Sequence, residues 1–248
     1  MKLVPLGTTG YHPNELRQTA CYLLPESGAM FDAGTGVHRL AKHLVGDELD
    51  LFLSHAHLDH IIGLTFLLET FHQRPMRRAT VHGEPKKLSA IRDHLFHVDL
   101  FPVAIDVEWR PLAERVTLRD GGVVTHFPLA HPGGSVGYRV DWPDRSMAYV
   151  TDTTASPEVK YVEAIRGVDL LLHECNFSDD EVPPEFAAKT GHSQTSAVAA
   201  LAKRAGVGRL VLIHVAPHHN QVDPVGLDVA RKIFPRTDVA EDCKAIEF

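Results

Sequence analysis

A chain of 248 residues is long enough for one large layered domain or two small ones, and no Ser/Gly-rich linker or run of charge divides it, so a single domain over 1–248 is expected. Hydrophobic content of 44% with 23% charged residues suits a globular protein with a full core, and a formal charge of −7 argues against a surface built mainly to hold a long polyphosphate backbone. Cys21, Cys175 and Cys243 form no CxxC pair, which argues against a disulfide framework or a thiolate metal site. No segment approaches about 18 uninterrupted apolar residues and Met1–Gly7 does not open a secretion signal, so a cytoplasmic protein without a membrane partner is expected.

In chain order, short apolar runs predict strands at Cys21–Leu24, Leu51–Leu53, Val123–Phe127, Val136–Val140, Met147–Val150, Leu170–Leu172 and Leu210–Ile213. Helical spacing of apolar residues predicts helices over 60–72, 84–95, 157–166, 193–205 and 224–233. Val136–Val140 and Met147–Val150 read as a hairpin. Ser156, followed by Pro157, reads as the cap of the 157–166 helix. Strands lead and alternation with helices follows, an α/β pattern that predicts a two-sheet sandwich with helices outside and strand ends converging along one edge.

The most informative stretch is His55-Ala56-His57-Leu58-Asp59-His60, four metal-competent side chains in six positions between a predicted strand and a predicted helix. Alternation in the extended half sends His55 and His57 to the same side, and the turn into the helix swings Asp59 and His60 toward a neighbouring position. Two pairs of ligands then serve two ions, and imidazole with carboxylate suits borderline divalent metals such as zinc or manganese. A dinuclear site needs further ligands at other strand ends. His131 follows Val123–Leu129, Asp152 ends Ala-Tyr-Val-Thr-Asp, and His214 ends Leu-Val-Leu-Ile-His.

With Asp32 in Met-Phe-Asp-Ala-Gly-Thr-Gly, these motifs in this order resemble the metallo-β-lactamase superfamily over nearly the whole chain. The resemblance implies a four-layer αββα sandwich, His55, His57 and His131 on one ion, Asp59, His60 and His214 on the other, Asp152 as the bridge, and Asp32 as a support for a ligand. It implies two divalent ions, zinc first, with manganese or iron as alternatives.

Two more segments narrow the resemblance. His173-Glu174-Cys175-Asn176-Phe177 and Gly191-His192-Ser193 resemble the HEAT-like and HST-like motifs of the ribonuclease Z group of phosphodiesterases, which assigns Glu174 and His192 to the leaving oxygen. A carboxylate-held imidazole is a suitable proton donor to a poor leaving group near neutral pH. Only about twenty residues separate His131 from Asp152, where the transfer-RNA-processing members carry an RNA-gripping arm. The segment after His214 reads Val-Ala-Pro-His218-His219 where the group tends to have Arg-Tyr.

The expected function is therefore metal-dependent hydrolysis of small or short nucleotide-derived phosphodiesters by a hydroxide bridging the ions, with Asp59 also able to accept a proton. Acyl hydrolysis, as in lactonases and β-lactamases, and transfer-RNA 3′ processing stand as alternatives, and a non-catalytic binding protein is a third class. Long nucleic acid is not the expected partner, and a homodimer is possible. His218 reads equally as a substrate contact or a surface residue. Arg74, Arg77, Arg78, Lys86 and Lys87 read as an anion-attracting cluster or a solvated face. Nothing near Cys175 indicates an activated nucleophile.

Overall fold

The computed structural model describes residues 1–219, 221 and 223–248. The chain divides into two compact units, the first Met1–Glu114 with Leu118–Gly121 and Glu241–Glu247, the second Arg115–Thr117 with Gly122–Ala240 and Phe248.

The first unit carries strands β1 (Lys2–Gly7), β2 (Cys21–Leu24), β3 (Ala29–Phe31), β4 (Glu48–Phe52), β5 (Arg78–Gly83) and β6 (Glu108–Pro111), with helices α1 (Leu40–His43), α2 (Leu58–Ile61), α3 (Leu67–Gln73) and α4 (Pro85–Ala90). The second carries β7 (Val116–Thr117), β8 (Val123–Leu129), β9 (Ser135–Asp141), β10 (Ser146–Val150), β11 (Leu170–Glu174), β12 (Arg209–Ile213) and β13 (Thr237–Val239), with α5 (Pro184–Thr190), α6 (Thr195–Ala205) and α7 (Leu227–Ile233). Strand β14 (Ile246–Glu247) returns to β1 in the first unit.

Each unit holds one seven-stranded mixed sheet, ordered β14-β1-β2-β3-β4-β5-β6 and β13-β12-β11-β10-β9-β8-β7. In the first, β3 to β6 run parallel, and in the second β10 to β13 do. Parallel strands need crossovers, which helices supply, and strands covered on both faces read as unbroken apolar runs. Leu170, Leu171, Leu172 and Leu210, Leu212, Ile213 are fully buried, each side chain contributing about 1.5–3 kcal/mol through burial. Helix α6 turns Val198, Ala199, Leu201, Ala202 and Ala205 to this core and stops at Gly206, whose φ of 66° is the left-handed cap that glycine adopts without strain. In the first unit Leu49 and Leu51 of β4 pack with Leu64, Leu67, Leu88 and Ile91.

All seven predicted strands are present, and β9 and β10 form the predicted antiparallel hairpin. The predicted helix over 60–72 is broken into α2, a 3-10 turn at Ile62–Phe66 and α3. The break follows from Gly63, which presses on the turn after β3: its N–H donates to Ala33 O at 2.8 Å, and a Cβ there would lie 2.1 Å from Gly34 O. The helix expected over 157–166 is corrected to a 3-10 turn at Lys160–Val162. Its bonds span three residues, Val162 N–H to Val159 O and Ala164 N–H to Tyr161 O. The apolar spacing arises because Tyr161, Val162 and Ile165 fill the core from this tighter coil. Ser156 accordingly caps no helix and accepts the Glu158 N–H.

Candidate metal centre

In the first unit, β4 delivers the chain to His55 buried, and His57, exposed, takes the extended N-cap conformation of α2 at φ −69°, ψ 149°. The His55 ring centroid lies 4.4 Å from that of His57 and 4.2 Å from that of His60. Asp32, directly after β3, organises this turn from beneath. Its Oδ1 accepts the Ser54 N–H at 2.7 Å, and its Oδ2 accepts the Ser54 hydroxyl at 2.7 Å and lies 2.7 Å from His60 Nδ1. Because Ser54 Oγ donates to Asp32, it is left to accept from His55 Nδ1, 2.9 Å away. One fully buried carboxylate thus holds both imidazoles with Nδ1 as the protonated nitrogen, and each turns Nε2 outward as a lone-pair donor. Asp59 Oδ2 stands 3.3 Å from His60 Nε2 and accepts the Tyr11 N–H at 2.8 Å.

In the second unit three loops after strands gather His131, Asp152 and His214. Asp152 Oδ2 lies 3.5 Å from His131 Nε2, and its Oδ1 lies 3.2 Å from His214 Nε2 and accepts the Thr151 hydroxyl at 2.7 Å. The carboxylate and both imidazoles are almost wholly buried. Separations of 3.2–3.5 Å exceed the ~2.7–2.9 Å of a charge-assisted hydrogen bond. They suit donors sharing a cation, since two ligand atoms each ~2.0–2.1 Å from a tetrahedral ion stand roughly 3.3 Å apart. His131 Nδ1 is 3.1 Å from Gly191 O, which again leaves Nε2 as the outward donor. Gly191 explains itself here: its φ is 78°, and a Cβ would lie 2.5 Å from Pro132 and 2.7 Å from His131 Nδ1. The donor chemistry on both units therefore fits borderline divalent cations.

Glu174 ends β11 with no exposure, its Oε1 accepting the Thr153 N–H and its Oε2 the Asn176 N–H, both at 3.1 Å. His192 Nδ1 stands 3.4 Å from Glu174 Oε1, and its ring stacks on His214 at 5.5 Å. Ligand-type atoms of Asp152, His192 and His214 lie within 4.8 Å of one another.

Sequence patterns alone assign no role to the residues that hold these groups: Ser54, Thr151, Thr153, Asn176, whose Nδ2 donates to His214 O, and the Gly191 carbonyl. A serine directly before His-x-His was the readable signal for Ser54. Backbone strain was not readable at all. Asp32, Asp152 and His214 have φ of 57°, 38° and 52°, three of the five non-glycine residues with positive φ among the described residues. Each costs about 1–3 kcal/mol and persists where surroundings over-determine it, as at functional sites.

Other candidates fall elsewhere. His218 Nε2 and His219 Nε2 lie 2.8 and 3.1 Å from the two oxygens of Glu181. Arg74 donates to Gly46 O, Arg77 pairs with Glu48, Arg78 with Asp50, and Lys87 with Glu84, so most of that basic cluster is engaged within the first unit. Burial pushes the Cys175 thiol well up, leaving it inert at neutral pH. Burial likewise lowers the His173 pKa, keeping that ring neutral beside Tyr161 Oη at 2.9 Å. No helix is long and apolar enough to cross a membrane among the described residues.

Comparison with known proteins agrees with the narrower resemblance. Ribonuclease Z of Archaeoglobus fulgidus is 26% identical over 302 aligned positions, covering 99% of this chain and 97% of that protein. The metallo-β-lactamase fold protein YhfI of Bacillus subtilis superposes with a TM-score of 0.77 at 20% identity, covering 99% of both chains. Human tRNase Z, short form, gives 0.73 at 23% identity, covering 100% of this chain and 99% of that one. Residues 29–215 match the family described as the beta-lactamase superfamily domain, and the chain belongs to that family, with its metallo-β-lactamase fold of mixed sheets and flanking helices.

Proposed function

We propose that the protein is a two-metal phosphodiesterase acting on small or nucleotide-derived diesters. His55, His57 and His131 would hold one divalent ion, Asp59, His60 and His214 the other, with Asp152 shared. When bound, two such ions supply Lewis acidity toward the phosphoryl oxygens and a lowered pKa for the attacking water. The chain's own residues do the rest. Asp32 and Ser54 fix the tautomers of His60 and His55, Gly191 O fixes that of His131, and Thr151 orients Asp152. Asp59, besides holding an ion, would accept a proton from the nucleophile.

The observation that carries phosphorus over an acyl carbon is the pair Glu174 and His192. A buried carboxylate steadied by two backbone N–H groups lies beside an imidazole that itself borders Asp152 and His214. That imidazole is suited to protonate a departing alkoxide, the hard part of diester cleavage. The test is turnover of bis-p-nitrophenyl phosphate beside a chromogenic lactam and a lactone, with metal content measured on the same sample. Diester turnover at two ions per chain is expected, and lactone or lactam turnover exceeding it would reject the reading.

A second reading, processing of precursor transfer RNA, is favoured by relatives named ribonuclease Z that align along the whole chain. The alignment to the Archaeoglobus enzyme spans 302 positions against 248 residues here, so about fifty of its positions have no counterpart in this chain. That difference, with the charge of −7, supports small diesters as the first reading. Efficient precursor cleavage at physiological salt would reverse the order.

A further inference from the structure

Tyr11 is the most exposed large hydrophobic side chain of the first unit, at 80%, yet its backbone is held in an uncommon conformation. Its φ is 59°, a conformation that a bulky residue adopts only at a cost and that glycine or asparagine would adopt with less strain. Its N–H donates to Asp59 Oδ2 at 2.8 Å, so the main chain that carries the ring is tied directly to the His-x-His-x-Asp-His turn. The loop bearing it is pinned on both sides. Thr9 N–H donates to Gln18 O, Asn14 Oδ1 takes the Leu16 and Arg17 N–H groups, and Thr19 N–H donates to Thr35 Oγ1. A hydrogen-bonded loop that carries a solvent-facing aromatic ring on a residue bonded to a candidate ligand is poorly explained by packing, since the ring meets His12 at a centroid distance of 5.3 Å and otherwise buries little.

We propose that Tyr11 is a specificity-determining residue, a stacking platform that takes the planar base of a nucleotide-derived diester while the phosphate is held at the centre. The proposal rests on the phosphodiesterase reading and narrows its substrate class to diesters carrying a nucleobase on one side. Base-on-aromatic stacking requires no base-specific hydrogen bond, so purines and pyrimidines are both accepted, and it is lost when the ring is removed and kept when only the hydroxyl is.

The test compares Tyr11→Ala and Tyr11→Phe with the parent on thymidine 5′-p-nitrophenyl phosphate and on methyl p-nitrophenyl phosphate, which has no base. Tyr11→Ala is expected to raise KM for the thymidine diester on the order of 5- to 100-fold, with KM for the methyl diester and metal content unchanged; Tyr11→Phe is expected to match the parent. Equal loss on both diesters, or loss of metal, would show that Tyr11 only supports Asp59 and would overturn the proposal, as would Tyr11→Phe behaving like Tyr11→Ala. Equilibrium binding of thymidine 5′-monophosphate separates this from the reading beneath it. If neither diester is hydrolysed, the phosphodiesterase reading fails, while weaker nucleotide binding by Tyr11→Ala still supports the platform. Equal nucleotide binding by parent and Tyr11→Ala would reject it.

Discussion

The first unit places its four candidate ligands within six consecutive residues, whereas the second draws three from positions 131, 152 and 214. Both solve the same chemical problem, that of presenting Nε2 and carboxylate oxygens without letting buried charges go unsupported, but by different means. In the first, one buried carboxylate, Asp32, secures two histidines through Ser54 and directly. In the second, each ligand has its own support, Gly191 O for His131, Thr151 for Asp152 and Asn176 for the His214 backbone. A contiguous motif can be steadied from a single point, while a dispersed one is assembled by sheet topology and must be secured loop by loop.

The largest effect should come from Asp152, the only carboxylate among the dispersed ligands and the one assigned to both ions. Asp152→Ala is expected to take metal content from two ions per chain toward none and to abolish diester turnover, whereas His57→Ala should remove one. Elemental analysis after dialysis decides it. Loss of a single ion from Asp152→Ala would place that residue on one ion and break the contrast between a shared dispersed ligand and unshared local ones.

Next in size is His192, whose Nδ1 stands 3.4 Å from Glu174 Oε1 beside the second unit's candidate ligands. His192→Ala should keep both ions and lower kcat on alkyl diesters by roughly 10²–10⁴-fold, the usual worth of acid–base help. The defect should shrink for p-nitrophenolate, which departs without a proton. Equal slowing of both substrates would make His192 a positioning residue, and loss of metal would make it a ligand.

The same contrast explains what the sequence made legible. His55 to His60 could be read directly because strand, turn and helix periodicities meet in one window. His131, Asp152 and His214 are legible as polar residues at the ends of apolar runs, and the runs Leu170–Leu172 and Leu210–Ile213 stand out because both faces of their strands, Leu170–Glu174 and Arg209–Ile213, are buried. Strands β1, β3, β5, β6, β7, β13 and β14 were missed. Pro5 interrupts β1, β3 has three residues, β5 contains Arg78 and His82, and β6 is largely exposed. Helix α5 was passed over because Pro183-Pro184 reads as a break, although Pro184 sits at the first helical turn where it is tolerated. The positive φ at Asp32, Asp152 and His214 leaves no mark on composition or spacing, because it is imposed by neighbours distant in sequence.

A smaller effect should follow from Asp32, and it probes the economy of the first unit. Asp32→Asn keeps the shape but weakens the acceptor that fixes His60 and, through Ser54, His55. Metal affinity should fall about 10- to 100-fold, measured by competition with a chromophoric chelator. Thr151→Val, which removes one support of the second unit, should cost less, because His131 and His214 keep theirs. If Thr151→Val matches Asp32→Asn, the two units do not differ in how widely one support is shared.

The smallest effect concerns stability, and it arises because the first sheet tolerates buried charge midway along β4 and β5, at Asp50, where the second fills the corresponding stretch of β11 and β12, Leu170–Leu172 and Leu210–Ile213, with leucine, valine and isoleucine. Burial alone would raise the Asp50 carboxyl, but hydrogen bonds from Arg78 at 2.8 and 2.7 Å and the contact with His82 Nε2 at 3.1 Å hold it down at about 2. A carboxyl depressed in the folded state stabilises the fold above the ordinary carboxylate range, and that contribution disappears as pH falls from about 4 to about 2. Arg78 is one-third exposed, so solvent screening reduces the effect to about 1–2 kcal/mol at pH 7. Asp50→Asn should therefore destabilise chelator-treated protein by that amount in urea titrations at pH 7 and 5, and by about half as much at pH 3, where the unfolded carboxyl is already mostly protonated. A difference that stays constant from pH 7 to pH 3 would assign the loss to packing around the substituted amide rather than to the charge of Asp50, and the two sheets would then be equivalent in what holds them.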